Sequence, residues 1–331
     1  MIVVNIIPTG LGAPIGGHAG DGLPAAKLLA SVCDTLITHP NVLNASDINE
    51  MTDNMLYVEG SALDRFLEGK INLQPVKSNK VLVAVNAPVK NETINAVSAA
   101  RATIGLDAFI VELNTPLVMI ADKTPEGNAT GHVTGVPELV YQLAAYEYNA
   151  LAVATPIDCK KEVALDYFQN GGVNPWGGVE AIASRLISDA INKPVAHAPV
   201  EDGTIKIKEL DFVCDPRIAA EMVSMCYLHC VLKGLHKAPS LGKGKINVRD
   251  VDVLVSPDGI CGRPHRACRE MGIPIIFVGD NTVSFADVPA DRIKATTYFE
   301  AAGMIKGMEI GVTFESIIRP LPNTIVYRRK K

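Results

Sequence analysis

Aromatic side chains are scarce in this chain: they make up 5% of its 331 residues, with a single tryptophan. A core must then be filled by Val, Ile, Leu and Ala, and an apolar fraction of 48% supplies enough of them for a large one. No apolar run reaches the roughly 18 residues that cross a bilayer. The N-terminal strand pattern also lacks a basic leader followed by a cleavage site. These absences predict a cytoplasmic protein without a membrane partner. Excess positive charge is missing too. With 31 Lys and Arg against 36 Asp and Glu the formal charge is −5, and the one basic block is Arg328-Arg329-Lys330-Lys331. Nucleic acid is thereby excluded as the main partner. Seven cysteines, an odd and scattered set, do not make a disulfide framework. Neither CxxC nor HExxH occurs, so no metal site is expected, and Cys226 and Cys230 beside His229 read as an inward helix face. Neither GxGxxG nor GxxxxGK[ST] occurs. Internal repeats and low-complexity segments are likewise missing.

What is present in abundance is glycine in one place. Six glycines fall between Gly10 and Gly22, directly after the apolar run Ile2–Ile7 and before the helical pattern Ala25–Cys33 with Pro24 near its first turn. A strand-to-helix loop this rich in glycine brings backbone N–H groups close to a partner, beside the positive end of a helix dipole. That setting predicts an anion site made by Thr9, Gly10, Gly12, Gly16, Gly17, His18, Gly20 and Asp21, with Asp21 alternatively an N-cap.

From Lys80 onward, short β-branched runs alternate with helical patterns. Strands are predicted at Val81–Val85, Ala108–Leu113, Ala150–Ala154, Pro194–Ala198, Val251–Ser256 and Ile273–Val278. Helices are predicted at 61–67 with Ser61 as cap, 91–103 with Asn91 as cap, 137–148, from Asp158, 177–191, 216–232, 264–271 and 297–308. A ribbon is predicted over Thr204–Phe212, and polar loops over Thr124–Gly135 and Lys233–Lys245. Runs apolar on both faces mean parallel strands covered on both sides. The fold class is α/β: a mainly parallel sheet with helices on both faces, Rossmann-like and doubly wound. Glycine-rich polar stretches allow a boundary near residue 200, dividing the chain into lobes 1–200 and 201–331, or a single domain.

The run from Ile6 to Ser46, the segment Asn54–Leu67, Ala196–Pro199 and His229–Pro239 together resemble a microbial family catalogued only as domain of unknown function 3326. The resemblance spans most of the chain. It implies one full-length unit and transfers no catalytic role.

In an open parallel sheet, ligands sit at the carboxyl ends of strands. That rule selects His39 and His197 as acid/base groups, with Asn41 beside the first, because imidazole titrates near neutral pH. Cys159 and Cys261, each at a helix start near basic residues, form a second constellation resembling the paired thiols of cofactor-independent racemases, without that family's signature residues. The basic stretch Lys233, His236, Lys237, Lys243 and Lys245 is expected to close over an anionic substrate. Together these features predict an enzyme acting on a small phosphorylated or carboxylated metabolite, with isomerase- or lyase-type proton transfer. The alternatives are the two-thiol enzyme and a non-catalytic nucleotide- or ligand-binding protein. No cofactor is implied, and a homo-oligomer is left open.

Overall fold

The computed structural model describes residues 1–45, 48–200, 211–223, 227–279, 288–289 and 292–329. In chain order the first segment holds β1 (Ile2–Asn5), α1 (Leu23–Ala30), β2 (Thr35–Thr38), α2 (Pro40–Leu43), β3 (Met55–Tyr57), α3 (Gly60–Leu67) and β4 (Asn72–Gln74). The middle holds β5 (Lys80–Asn86), α4 (Asn91–Ile104), β6 (Asp107–Leu113), β7 (Val118–Lys123), β8 (Ala129–Thr134), α5 (Val136–Leu143), β9 (Ala150–Thr155), α6 (Lys161–Asn170), α7 (Gly177–Ile191) and β10 (Val195–Pro199). There follow α8 (Pro216–Val223), α9 (Tyr227–His236), β11 (Ser240–Gly242), β12 (Val251–Pro257), α10 (Arg263–Met271), β13 (Ile275–Val278), β14 (Ile293–Ala295), α11 (Tyr298–Glu309) and α12 (Phe314–Ile317).

Two parallel sheets result. The first runs β14-β13-β12-β1-β2-β3 and the second β10-β9-β5-β6. Period-2 alternation divides each strand between two faces. Val3, Val253 and Val255 face a core shared with α1, α11 and the second sheet. Val4 and Leu254 face the opposite way, against α3 and α10. In the second sheet Leu82, Ala84, Leu151 and Val153 turn toward α5, α7 and the β7–β8 hairpin. Both sheets are thus covered on both faces, as continuous β-branched runs require, and the Rossmann-like doubly wound reading holds.

The order of the first sheet reverses at β1, since β2 lies on one side of it and β12 on the other. Residues 1–200 therefore do not make one sheet. The first sheet joins β1–β3 to β12–β14 from the far end of the chain, and the second is assembled from residues 80–199 between them. Neighbouring strands need only compatible edges and a right-handed crossover, so sequence proximity does not fix sheet membership.

Other differences are local. The polar stretch Thr124–Gly135 carries β8, antiparallel to β7. The cap of α3 is Glu59, whose carboxylate accepts from the N–H groups of Ser61 at 2.9 Å and Ala62 at 3.1 Å. Lys90 precedes α4 as its N-cap. The pattern Pro216–Leu232 divides into α8 and α9, whose directions differ by 96°. Cys226 and residues 204–210 of the expected ribbon lie outside the described residues. Among the described residues no single helix is long and apolar enough to cross a membrane, and no group of three or more His, Cys, Asp or Glu could hold a metal ion.

Candidate functional site

A cavity of about 1110 Å³ lies where the carboxyl ends of β1, β2 and β3 face those of β9 and β10, with α7 and α8 closing its sides. Thr9, His39, Asn41, Cys159 and His197 all line it. The strand-end rule thus brings together residues up to 188 positions apart, from both sheets.

The second half of the glycine loop is braced from within. Three of its N–H groups are taken by the protein itself: His18 donates to Asp21 Oδ1 at 3.2 Å, Ala19 to Glu221 Oε1 at 2.7 Å, and Gly20 to the Asn41 carbonyl at 2.8 Å. Asp21 does not cap α1, whose N-cap is Gly22. The glycines answer to internal packing. At Gly16, φ is +82° and a Cβ would stand 2.2 Å from Ile7 Cγ2; at Gly20, φ is +78° and a Cβ would stand 2.2 Å from Ala45 Cβ. Gly17 lies against the Ala13 carbonyl and Gly12 near Val173. The Gly10 carbonyl accepts from Ala129 N–H at 3.1 Å, which ties the loop to β8 of the β7–β8 hairpin. Two of these amides hold the carboxyl groups of Asp21 and Glu221.

Glu221 is the centre of a buried network. Tyr167 donates its hydroxyl to Oε2 at 3.0 Å, and Asn174 Nδ2 lies 3.2 Å from Oε1. Asn174 Oδ1 accepts from the N–H groups of Trp176 at 3.0 Å and Gly177 at 3.1 Å, which orients its amide. His18 Nδ1 sits 2.6 Å from the Tyr167 oxygen. While Glu221 is ionised it takes the Tyr167 proton, and His18 is then the donor in its bond to Tyr167. Three of the chain's few aromatics gather here: Tyr167 and Phe168 each lie 5.5 Å, centroid to centroid, from Trp176. Burial in this apolar frame pushes the Glu221 carboxyl up to about 7, against the donors that favour its charged form. Burial also raises Asp21 to about 7, and lowers His18.

The two predicted histidines play unequal parts. His39 Nε2 accepts from Ile7 N–H at 3.1 Å, which only a neutral ring can do, and burial lowers its pKa to about 4. Its proton therefore stands on Nδ1, making it a hydrogen-bond donor at neutral pH. His197 is engaged at both nitrogens. Nδ1 lies 2.9 Å from Glu180 Oε1, and Nε2 lies 3.1 Å from both Thr155 Oγ1 and the Thr155 carbonyl. In this pair the imidazole is 2% exposed and the carboxylate 29%, so Glu180 is the group that faces the cavity. Asn41, with Nδ2 3.5 Å from the Gly16 carbonyl, shapes the loop.

The cavity wall is acidic. Among the described residues Glu59, Asp64, Glu180, Asp211 and Glu221 line it, and Arg185 is the one guanidinium. Burial raises Glu59, and raises Asp64 to about 7 against the pull of Arg263. The expected basic lid is elsewhere: Lys233 and His236 belong to the last turn of α9, Lys237 pairs with Asp53 at 3.3 Å, and β11 pairs with β4. Of the two cysteines, Cys159 reaches the wall, whereas Cys261 is buried and not among the lining residues. Glu180, Glu221 and Tyr167 escaped sequence reasoning. Glu180 carried one signal, an acid in the first turn of a helix opening beside a cleft. Glu221 had none, because its partner Ala19 is 202 residues away.

An uncharacterized lipoprotein of Synechococcus sp. is 35% identical to this chain over 334 residues, covering 93% of this chain and 91% of the relative. No solved structure matches the chain. A family model described as "Protein of unknown function (DUF3326)" matches residues 2–318, which hold every strand of both sheets, and the chain belongs to that family.

Proposed function

We propose that the protein is an enzyme performing proton transfer on a small polar metabolite held in the cavity between the two sheets. Glu221 is the base that takes the proton and returns it. The observation that carries this reading is a buried carboxyl brought to about 7, fixed by Ala19 N–H, Tyr167 and Asn174 at the cavity wall. A carboxylate with that affinity is both protonated and deprotonated in useful amounts at neutral pH. The Nδ1–H of neutral His39 supports the role of donor to a substrate oxygen, and Glu180, oriented by His197, that of acceptor from a substrate hydroxyl or amine. Isomerisation or elimination needs no group beyond these.

An uncharged or amine-bearing substrate suits this wall better than the phosphorylated or carboxylated one expected from the glycine loop. Among the described residues the carboxyl groups on the wall outnumber its one guanidinium, which disfavours an anion as they ionise, and two loop amides already hold internal carboxyl groups. A thermal-shift screen of polyols, amines and amino sugars beside phosphosugars and dicarboxylates tests the point. A true ligand at about 100 times its Kd adds about 2.7 kcal/mol. Hits confined to anions would sink the substrate class. Absence of deuterium exchange into every bound hit would leave a binding protein without chemistry.

A further inference from the structure

We propose that residues 317–331 are a peripheral docking arm for anionic lipid surfaces. After α12 the chain runs without regular structure from Ile318 to Arg329, and every residue from Glu315 to Arg329 is exposed. Its start is anchored, since Phe314 packs on the main core. Beyond that anchor the arm presents large apolar side chains to solvent: Leu321 is 55% exposed, Ile325 75%, Val326 68% and Tyr327 92%.

Charge singles out the occupant. Five of the chain's 31 cations and none of its 36 acids lie in residues 316–331, namely Arg319, Arg328, Arg329, Lys330 and Lys331. The arm is therefore strongly cationic on a body whose acids outnumber its bases. Ile325-Val326-Tyr327 followed at once by four cations places aliphatic and aromatic groups at the depth of the headgroup boundary and the cations on lipid phosphates. The rest of the chain carries 26 cations against 36 acids, so attraction to an anionic surface is concentrated in the arm. Fully extended, Ile318–Arg329 reach roughly 40 Å from α12, enough to touch a surface away from the body.

The experiment uses the full chain in co-flotation with vesicles of phosphatidylglycerol mixed into phosphatidylcholine, and with phosphatidylcholine alone. Binding is expected to the first only, and to weaken between about 0.1 M and about 1 M salt, where the screening length falls from about 10 to about 3 Å. Arg328→Glu with Arg329→Glu, and separately Ile325→Ser with Tyr327→Ser, are each expected to lower the bound fraction at least roughly tenfold. Both pairs are surface changes, so an unmoved melting temperature confirms that the fold is intact. The proposal is overturned by no flotation, by equal binding to both vesicles, or by binding that the four substitutions leave unchanged. It is also overturned if light scattering shows a dimer that Ile325→Ser with Tyr327→Ser dissolves, since a second copy would then cover the arm.

Discussion

Two side chains at the cavity pull stability in opposite directions with pH. Glu221 rises from 4.5 to about 7 on folding, so the native protein keeps a proton that the unfolded chain releases above pH 4.5. Stability therefore falls as pH climbs from about 4.5 to about 7, by about 3 kcal/mol from this group. Glu221→Gln, which holds the neutral shape, is expected to flatten that decline in urea titrations taken at pH 5 and pH 8. An unchanged slope would mean that the carboxyl titrates normally. His39 falls from 6.5 to about 4, so between those values the unfolded chain takes up a proton that the native ring refuses. Its stabilising effect is complete above 6.5 and is lost as pH drops through 4. His39→Gln should make the acid limb shallower by about 3 kcal/mol, and a limb that stays as steep would argue against the Ile7 contact as drawn.

Among the elements, α9 shows how backbone approach replaces side-chain packing. Gly234 lies in the last turn of α9, where alanine is ordinarily the better helix former. Here a Cβ would stand 2.2 Å from the Tyr57 ring, which is 1% exposed and hydrogen-bonded through its oxygen to Asn44 Nδ2 at 2.6 Å. The ring has no room to withdraw. Gly234→Ala is expected to lower stability by about 1–3 kcal/mol, the cost of overpacking, reversing the sign that propensity alone gives. The glycine loop makes a matching case. Gly16→Ala adds a left-handed backbone penalty to a 2.2 Å clash with Ile7. A loss of about 3 kcal/mol is expected, partly recovered when Ile7→Ala opens the space. A neutral Gly16→Ala would mean that the loop packs loosely and would reopen the case for an external ligand there.

For the whole molecule, the decisive feature is a core that belongs to neither sheet alone. Val3, Leu36 and Val253 from the first share one apolar cluster with Val81, Val83 and Ala152 from the second, and with Leu232 and Leu235 of α9 between them. The loop adds polar ties, from Gly10 to Ala129 and from Ala19 to Glu221. Calorimetry is expected to show a single unfolding transition, with calorimetric and van't Hoff enthalpies in agreement. Two resolved transitions would mean that the sheets fold independently. The cavity then owes its fixed width to this shared core, and the proton-transfer groups to elements on opposite sides of it.

The sequence by itself determined the α/β class and most of its elements, because β-branched runs apolar on both faces have no other stable use than buried parallel strands. It also put Thr9, His39, Asn41 and His197 at the carboxyl ends of strands, while their meeting at one cavity depends on how the two sheets face each other. Only the tertiary structure decided what those residues do. Glu221 meets Ala19, and Glu180 meets His197, through folding and not through spacing. Whether a loop amide is open to a guest or already satisfied depends on a carboxylate that arrives from the other end of the chain. Local pattern records the period of burial, while a pKa or a hydrogen-bond partner is set by whatever the fold brings within 3 Å.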